Sequence, residues 1–163
     1  MGGYPFRPWR RHRRPAAVIE HVPSPVGRHI VSVPVGPDAV RQAREAMSRR
    51  FGEVGVAPDS VFADAVLLVV SELVTNVLRH APHSPVADVG ITVGAGQLVV
   101  SVADAEPRLP ALEPGAMGTG LELVAELAGE YDGDISAEPA IGHDGKVVLV
   151  RFSLPSWAMD TPR

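Results

Sequence analysis

Three stretches of this chain carry residue types at spacings that could do chemistry. Glu72 and Asn76 stand four apart, so on a helix they share one face, and His80 falls a further turn along it. The preceding turns are strongly apolar, a setting in which burying a carboxylate costs several kcal/mol unless it is paired or hydrogen-bonded. One reading gives Asn76 a hard oxygen for Mg²⁺ and makes Glu72 a base or a water-orienting group. The other pairs Glu72 with Arg79 or His80 and leaves Asn76 to satisfy local backbone. Asp104 closes the apolar stretch that begins Leu98-Val99-Val100-Ser101-Val102. A carboxylate at a strand end can accept from an exocyclic amine such as that of adenine, and Asp is also ordinary turn chemistry there. Gly118-Thr119-Gly120 stands immediately before Leu121. Glycines at a helix start let backbone N–H groups approach phosphate, and the helix dipole favours the anion, although helix starts often carry glycine without a ligand.

The elements that must position these residues follow from periodicity. Residues 29–35 alternate and predict a first strand, at a sheet edge because Pro34 cannot donate to a ladder. Pro37 and Asp38 open a helix with Val40, Ala43, Met47, Phe51 and Val54 on one stripe, ended by Gly52 and Gly55. Pro58 to Ser60 start the longest helix, about 60–80, whose apolar positions cover most of its circumference and predict burial. Strands follow at about 86–93 and 97–103, joined by Gly94-Ala95-Gly96. Residues 104–118 have no period and carry Pro107, Pro110, Pro114 and Gly115, a loop long enough to suggest a function. A helix over 119–129 buries Leu121, Val124, Leu127 and Ala128, and strands at about 133–139 and 146–154 flank Gly142-His143-Asp144-Gly145. This order predicts an α+β two-layer sandwich, a mixed β-sheet with helices packed on one face.

The 163 residues suffice for one domain, and at 45% apolar but only 5% aromatic side chains the core must be built from Val, Leu, Ile and Ala. Residues 1–27 are rich in Pro, Gly and Arg and lack period, and are expected to form a disordered arm. Residues 28–155 form the domain and 156–163 a tail, whose Trp157 and Met159 suit either docking on the sheet or a contact surface. Arg7, Arg10, Arg11, Arg13 and Arg14 face no acid in the first 14 residues, which leaves 10 basic against 19 acidic side chains for the rest. An acidic body is a poor surface for nucleic acid or anionic lipid, and five arginines on a floppy arm would bind nucleic acid weakly. There is no cysteine, which fits a reducing compartment, and neither a run of 18 apolar residues nor a secretory signal is present; a cytoplasmic location is expected. The six histidines show no metal-ligand spacing, and Lys146, the chain's only lysine, reads as a strand-start surface residue.

Order sharpens the three signals. A Glu-x-x-x-Asn helix, a strand ending in Asp, a loop, and Gly-x-Gly opening a helix together resemble the GHKL ATPase superfamily, which includes histidine kinases, gyrase-type ATPases and anti-sigma-factor serine kinases. Ser71-Glu72-Leu73-Val74-Thr75-Asn76, followed by Arg79-His80-Ala81, is similar to the N-box of the last subgroup. Asp104 falls at the first glycine box, and Met117 to Val124 match the second. The resemblance covers about residues 29–154.

That resemblance implies the Bergerat ATP-binding fold, with ATP and Mg²⁺ as cofactors and residues 105–117 as the ATP lid. It implies Glu72 as general base, Asn76 as Mg²⁺ ligand and Asp104 as adenine contact, with His80, Arg108, Gly118, Thr119, Gly120 and Leu121 completing the nucleotide site. Arg108 suits a γ-phosphate contact or a solvated loop position. The implied activity is transfer to a serine of a STAS-type anti-anti-sigma factor, with a sigma factor sequestered by the same surface region; the assembly state, a homodimer included, stays open. Two departures bear on affinity: the first box reads Asp104-Ala105-Glu106-Pro107-Arg108 without its glycines, and Val147 stands where similar proteins often carry a Thr near the adenine. They favour a rival, a module that regulates a partner by contact alone. A detached histidine-kinase-like domain is a further rival, though no dimerisation helices with a phosphorylatable His precede the domain.

Overall fold

The computed structural model describes residues 27–158, so the expected arm, apart from Gly27, which opens the first strand and does not belong to a disordered segment, lies outside the described residues, as does Met159 with the rest of the tail. Its elements run β1 (Gly27–Pro34), α1 (Ala39–Ser48), α2 (Val61–His80), β2 (Val86–Gly94), β3 (Gln97–Asp104), α3 (Thr119–Glu130), β4 (Asp134–Pro139) and β5 (Lys146–Ser153), followed by a 3-10 turn at Ser156–Ala158. The five strands lie in the order β1-β2-β3-β5-β4. Every adjacent pair is antiparallel. The α+β two-layer arrangement is the one expected, but the mixed sheet is not: β5 returns to β3 in antiparallel sense after the excursion through α3 and β4. β1 is an edge strand, as Pro34 required.

Alternation along the strands builds one core. Ala87, Val89, Ile91 and Val93 on β2, Leu98, Val100 and Val102 on β3, and Val148, Val150 and Phe152 on β5 are buried in a cluster shared with all three helices. On α1 the buried stripe is Ala39, Ala43 and Met47. The helix stops at Ser48, so Phe51 and Val54, expected on its stripe, belong to the following turns and are buried there instead. Phe62 anchors the start of α2 and meets Tyr131 and Phe152 edge-on, with ring centroids 5.0 and 5.6 Å away, the geometry that aromatic quadrupoles favour.

α2 begins where its cap predicts, because Ser60 Oγ accepts from the Ala63 N–H at 3.1 Å. By length and composition it is apolar enough to cross a membrane, yet half of its apolar window is buried inside the protein. Its neighbours α1 and α3 lie to either side and the sheet lies beneath it, so the apolar residues face protein on most of the circumference. The β2–β3 turn carries Ala95 at φ 52° and Gly96 at φ 73°, the left-handed pair that fits the twist of a tight hairpin. The body continues to Ala158, which is buried and accepts from the Ala57 N–H at 2.8 Å, while Trp157 is 61% exposed.

Candidate functional site

The C-terminal half of α2, the end of β3, the loop after it and the start of α3 enclose a cleft of about 410 Å³, within the range of small-molecule sites, roughly 300–1,000 Å³. Glu72, Asn76 and His80 line it from one face of α2, as their four-residue spacing demands. Glu72 makes no ion pair with Arg79 or His80, and Asn76 makes no hydrogen bond to local backbone, among the described residues. The structural explanation for this pair therefore fails. Both side chains are half-buried, and both turn unpartnered polar atoms into a cleft, where an unmet polar group is expensive unless water or a ligand meets it.

Facing them is the start of α3. Its N-cap is Gly118, in extended conformation, and no side chain caps the first turn. The first N–H groups of a helix have no partner within it, so those of Thr119, Gly120 and Leu121 are left for a ligand or water. Gly120 has a specific steric role: a Cβ there would stand 2.6 Å from Glu72 Oε2. Glycine thus lets the carboxylate lie directly against the first turn of α3, and the two halves of the expected site depend on each other. Thr119 is exposed and Leu121 is 6% exposed and joins the core.

At the other end the chemistry is different. Asp104 is 7% exposed and so is Lys146; the ammonium lies 2.9 Å from each carboxylate oxygen and 3.3 Å from the Glu106 carbonyl oxygen. Oδ1 of Asp104 also accepts from the Glu106 N–H at 2.8 Å. Lys146 is therefore a buried cleft residue and not the surface residue its strand-start position suggested. The signal was in the alternation: Lys146 is in phase with Val148, Val150 and Phe152, all inward. The same phase corrects Val147, which pairs with Ala103 on the opposite phase and does not line the cleft; the inward positions nearest Asp104 are Lys146 and Val148. Gly145 makes this possible, since at φ 142° it passes so close to the Asp104 carbonyl that a Cβ would collide with it. Buried Ser84, a residue with no sequence motif around it, fixes the exit from β3 by accepting from the Ala105 N–H at 2.8 Å.

The loop over 105–118 covers the cleft from above. Leu112 is buried and tethers its middle, whereas Leu109 is 43% exposed. Glu106 accepts from the Arg108 N–H at 3.0 Å. That bond holds its carboxyl below the usual carboxylate range; the charges of Arg108, His83 and Lys146 act in the same direction against desolvation. The Arg108 side chain is 84% exposed, and among the described residues its guanidinium meets only Glu106, at 3.7 Å. No cluster of three or more His, Cys, Asp or Glu side chains suited to a metal occurs among the described residues.

The family model described as the histidine kinase-like ATPase domain matches residues 33–152, which include every residue of the cleft named above, and the chain belongs to that family. It is a GHKL-type ATP-binding domain. No curated protein matches it. Among solved structures it is similar to the histidine kinase domain of the Erythrobacter litoralis EL346 blue-light activated histidine kinase, with 21% identity and a TM-score of 0.48, over 74% of this chain and 61% of that one. The chain thus spans about three-fifths of that relative. It is also similar to the Acinetobacter baumannii histidine kinase AdeS, with 13% identity and a TM-score of 0.47 over 78% and 68% of the two chains. The catalytic domain of the histidine kinase ThkA, in a nucleotide-free form, gives 13% identity and a TM-score of 0.45 over 78% and 99%.

Proposed function

We propose that this chain is a cytoplasmic Mg-ATP-dependent regulator that phosphorylates a serine of a STAS-type antagonist, in the manner of the anti-sigma-factor kinases, and holds a sigma factor through the same surface region. The observation that carries the reading is the pair Glu72 and Asn76, side chains with no partner among the described residues, set against a helix N-terminus that no side chain caps. The residues fit Mg²⁺: the Asn76 side-chain oxygen has no partner among the described residues, and Mg²⁺ takes hard oxygen ligands, several of them water and substrate phosphate. When bound, the metal neutralises phosphate charge during transfer.

The protein's own part is positioning and proton handling. The free N–H groups at the start of α3 hold anionic phosphate oxygens. Glu72 takes the proton of the serine hydroxyl on its carboxylate as the serine oxygen bonds to the γ-phosphorus, and the bond from that phosphorus to the bridging oxygen breaks to release ADP. The test is single-turnover incubation with labelled ATP and candidate STAS-type proteins, looking for phosphoserine. A second reading, regulation by contact alone, is favoured by the base end, where Asp104 is already held by Lys146. A protein that binds such a partner tightly and never labels it would establish that second reading in place of the first.

A further inference from the structure

Lys146 changes what the base end of the cleft can recognise. An ammonium has three N–H groups, and three oxygens surround this one: both carboxylate oxygens of Asp104 at 2.9 Å and the Glu106 carbonyl at 3.3 Å. Asp104 Oδ1 is filled by Lys146 and the Glu106 N–H, so only Oδ2 keeps a free lone pair. The cleft therefore does not offer a bare carboxylate. It offers a cationic donor beside one remaining anionic acceptor, and the donor's weakest contact is the long one to Glu106.

We infer that Lys146 is a specificity-determining residue that relaxes the preference for adenine, so that the cleft takes a 6-oxopurine nucleotide at least as tightly as ATP. The inference rests on the reading that a purine nucleotide occupies this cleft. A bare carboxylate accepts the C6 amine of adenine and repels a C6 carbonyl. Beside Lys146 the carbonyl displaces only the 3.3 Å contact and gains a charge-assisted bond, while the neighbouring N1–H donates to Oδ2. In that same pose adenine sets its amine against the ammonium, donor against donor, and turns an N1 without hydrogen toward the carboxylate. Adenine binds only by shifting along the pair, to a pose in which a ring nitrogen replaces the stronger carbonyl acceptor.

The experiment compares ITP with ATP, because hypoxanthine differs from adenine only at C6 and N1. Calorimetric titration with Mg²⁺ on the full chain is expected to give a dissociation constant for ITP equal to or below that for ATP. Lys146→Thr, which removes the cation, is expected to move the ratio of the two constants toward ATP by roughly tenfold or more, the worth of a hydrogen bond to a charged group. Lys146→Arg, which keeps a cation, is expected to hold the wild-type ratio. A wild type that prefers ATP, or a ratio that Lys146→Thr leaves unchanged, overturns the inference while the nucleotide site stands. Failure of wild type and Lys146→Thr to bind either nucleotide at millimolar concentration overturns the site reading and this inference together. Where Lys146→Thr melts below the working temperature, the wild-type ratio decides alone.

Discussion

At the α2–α3 end of the cleft, Glu72 and Asn76 have no partner among the described residues and the helix facing them has no side-chain cap; at the β3–β5 end, Asp104 and Lys146 are buried and bonded to one another. Both ends carry a carboxylate, and the desolvation penalty is the larger at Asp104, which is 7% exposed where Glu72 is half-buried. One end meets it with a lysine, and the other stays half-open to solvent. A polar group that has found its partner within the fold contributes to stability, and one that has not is free to act on a ligand. The two ends should therefore answer mutation in different observables.

The largest expected effect is at the open end. Glu72→Gln keeps size and polarity but cannot take a proton, and positioned bases contribute about 10²–10⁴-fold. Phosphoryl transfer should fall by that order while the melting temperature holds. Wild-type transfer from Glu72→Gln would remove the proposed base. At the closed end the loss should appear in stability: Lys146→Met leaves a buried carboxylate without its cation, a change worth about 3–5 kcal/mol when one partner of a buried pair is removed. Asn76→Ala leaves no group newly unpaired and should stay within about 0.5 kcal/mol by denaturant titration. Equal losses in the two variants would erase the contrast.

The same substitution at two glycines sharpens it further. At Gly145 an added methyl meets the Asp104 carbonyl and a φ of 142°, so Gly145→Ala should destabilise by about 1–3 kcal/mol, the usual strain of such backbone. At Gly120 the methyl meets only the mobile end of Glu72, at 2.6 Å. The fold should tolerate Gly120→Ala, since Ala is the better helix residue by about 1 kcal/mol. The carboxylate, however, must move, and a shift of about 1 Å in a reacting group can lower rate about 10²-fold. A destabilised Gly120→Ala with an unaltered transfer rate would contradict this.

These contrasts also show which parts were legible in the sequence. Ser60 and the apolar run after it placed α2 to within a residue, and the α2 residues Glu72, Asn76 and His80 came with it, because helical spacing alone puts them on one face. Gly118–Gly120 were readable for the same local reason. The sense in which β5 meets β3 was not, since that pairing joins segments separated by a helix and a strand, and no local period encodes it. Lys146 was misplaced as a consequence: its charge suggested solvent, while its phase with Val148 pointed inward, and only the register Asp104↔Lys146 decides between them. Phe51 and Val54 likewise kept their burial but not their helix, because turns after Ser48 carry them into the core.

The smallest predicted effect lies in the loop between the two ends. Glu106 accepts from the Arg108 N–H, and this bond, with the charges of Arg108, His83 and Lys146, holds its carboxyl below the usual range against desolvation. A carboxyl lowered in the folded state binds its proton more weakly there than in the unfolded chain. Its contribution is therefore complete above the unfolded value, about 4.3 for Glu, and is lost as pH falls through the lower folded value. Wild type should thus be slightly more stable than Glu106→Gln at neutral pH, and the gap should close below the ordinary carboxylate range. Titration of the side-chain carboxyl carbon by NMR reads the group directly. Arg108→Pro removes the donated N–H together with the guanidinium and should return the Glu106 midpoint toward its ordinary value, whereas Arg108→Ala, which keeps the N–H, should return it only in part. The backbone bond acts first among the causes, so an Arg108→Ala midpoint as high as that of Arg108→Pro would show that charge alone holds Glu106 down.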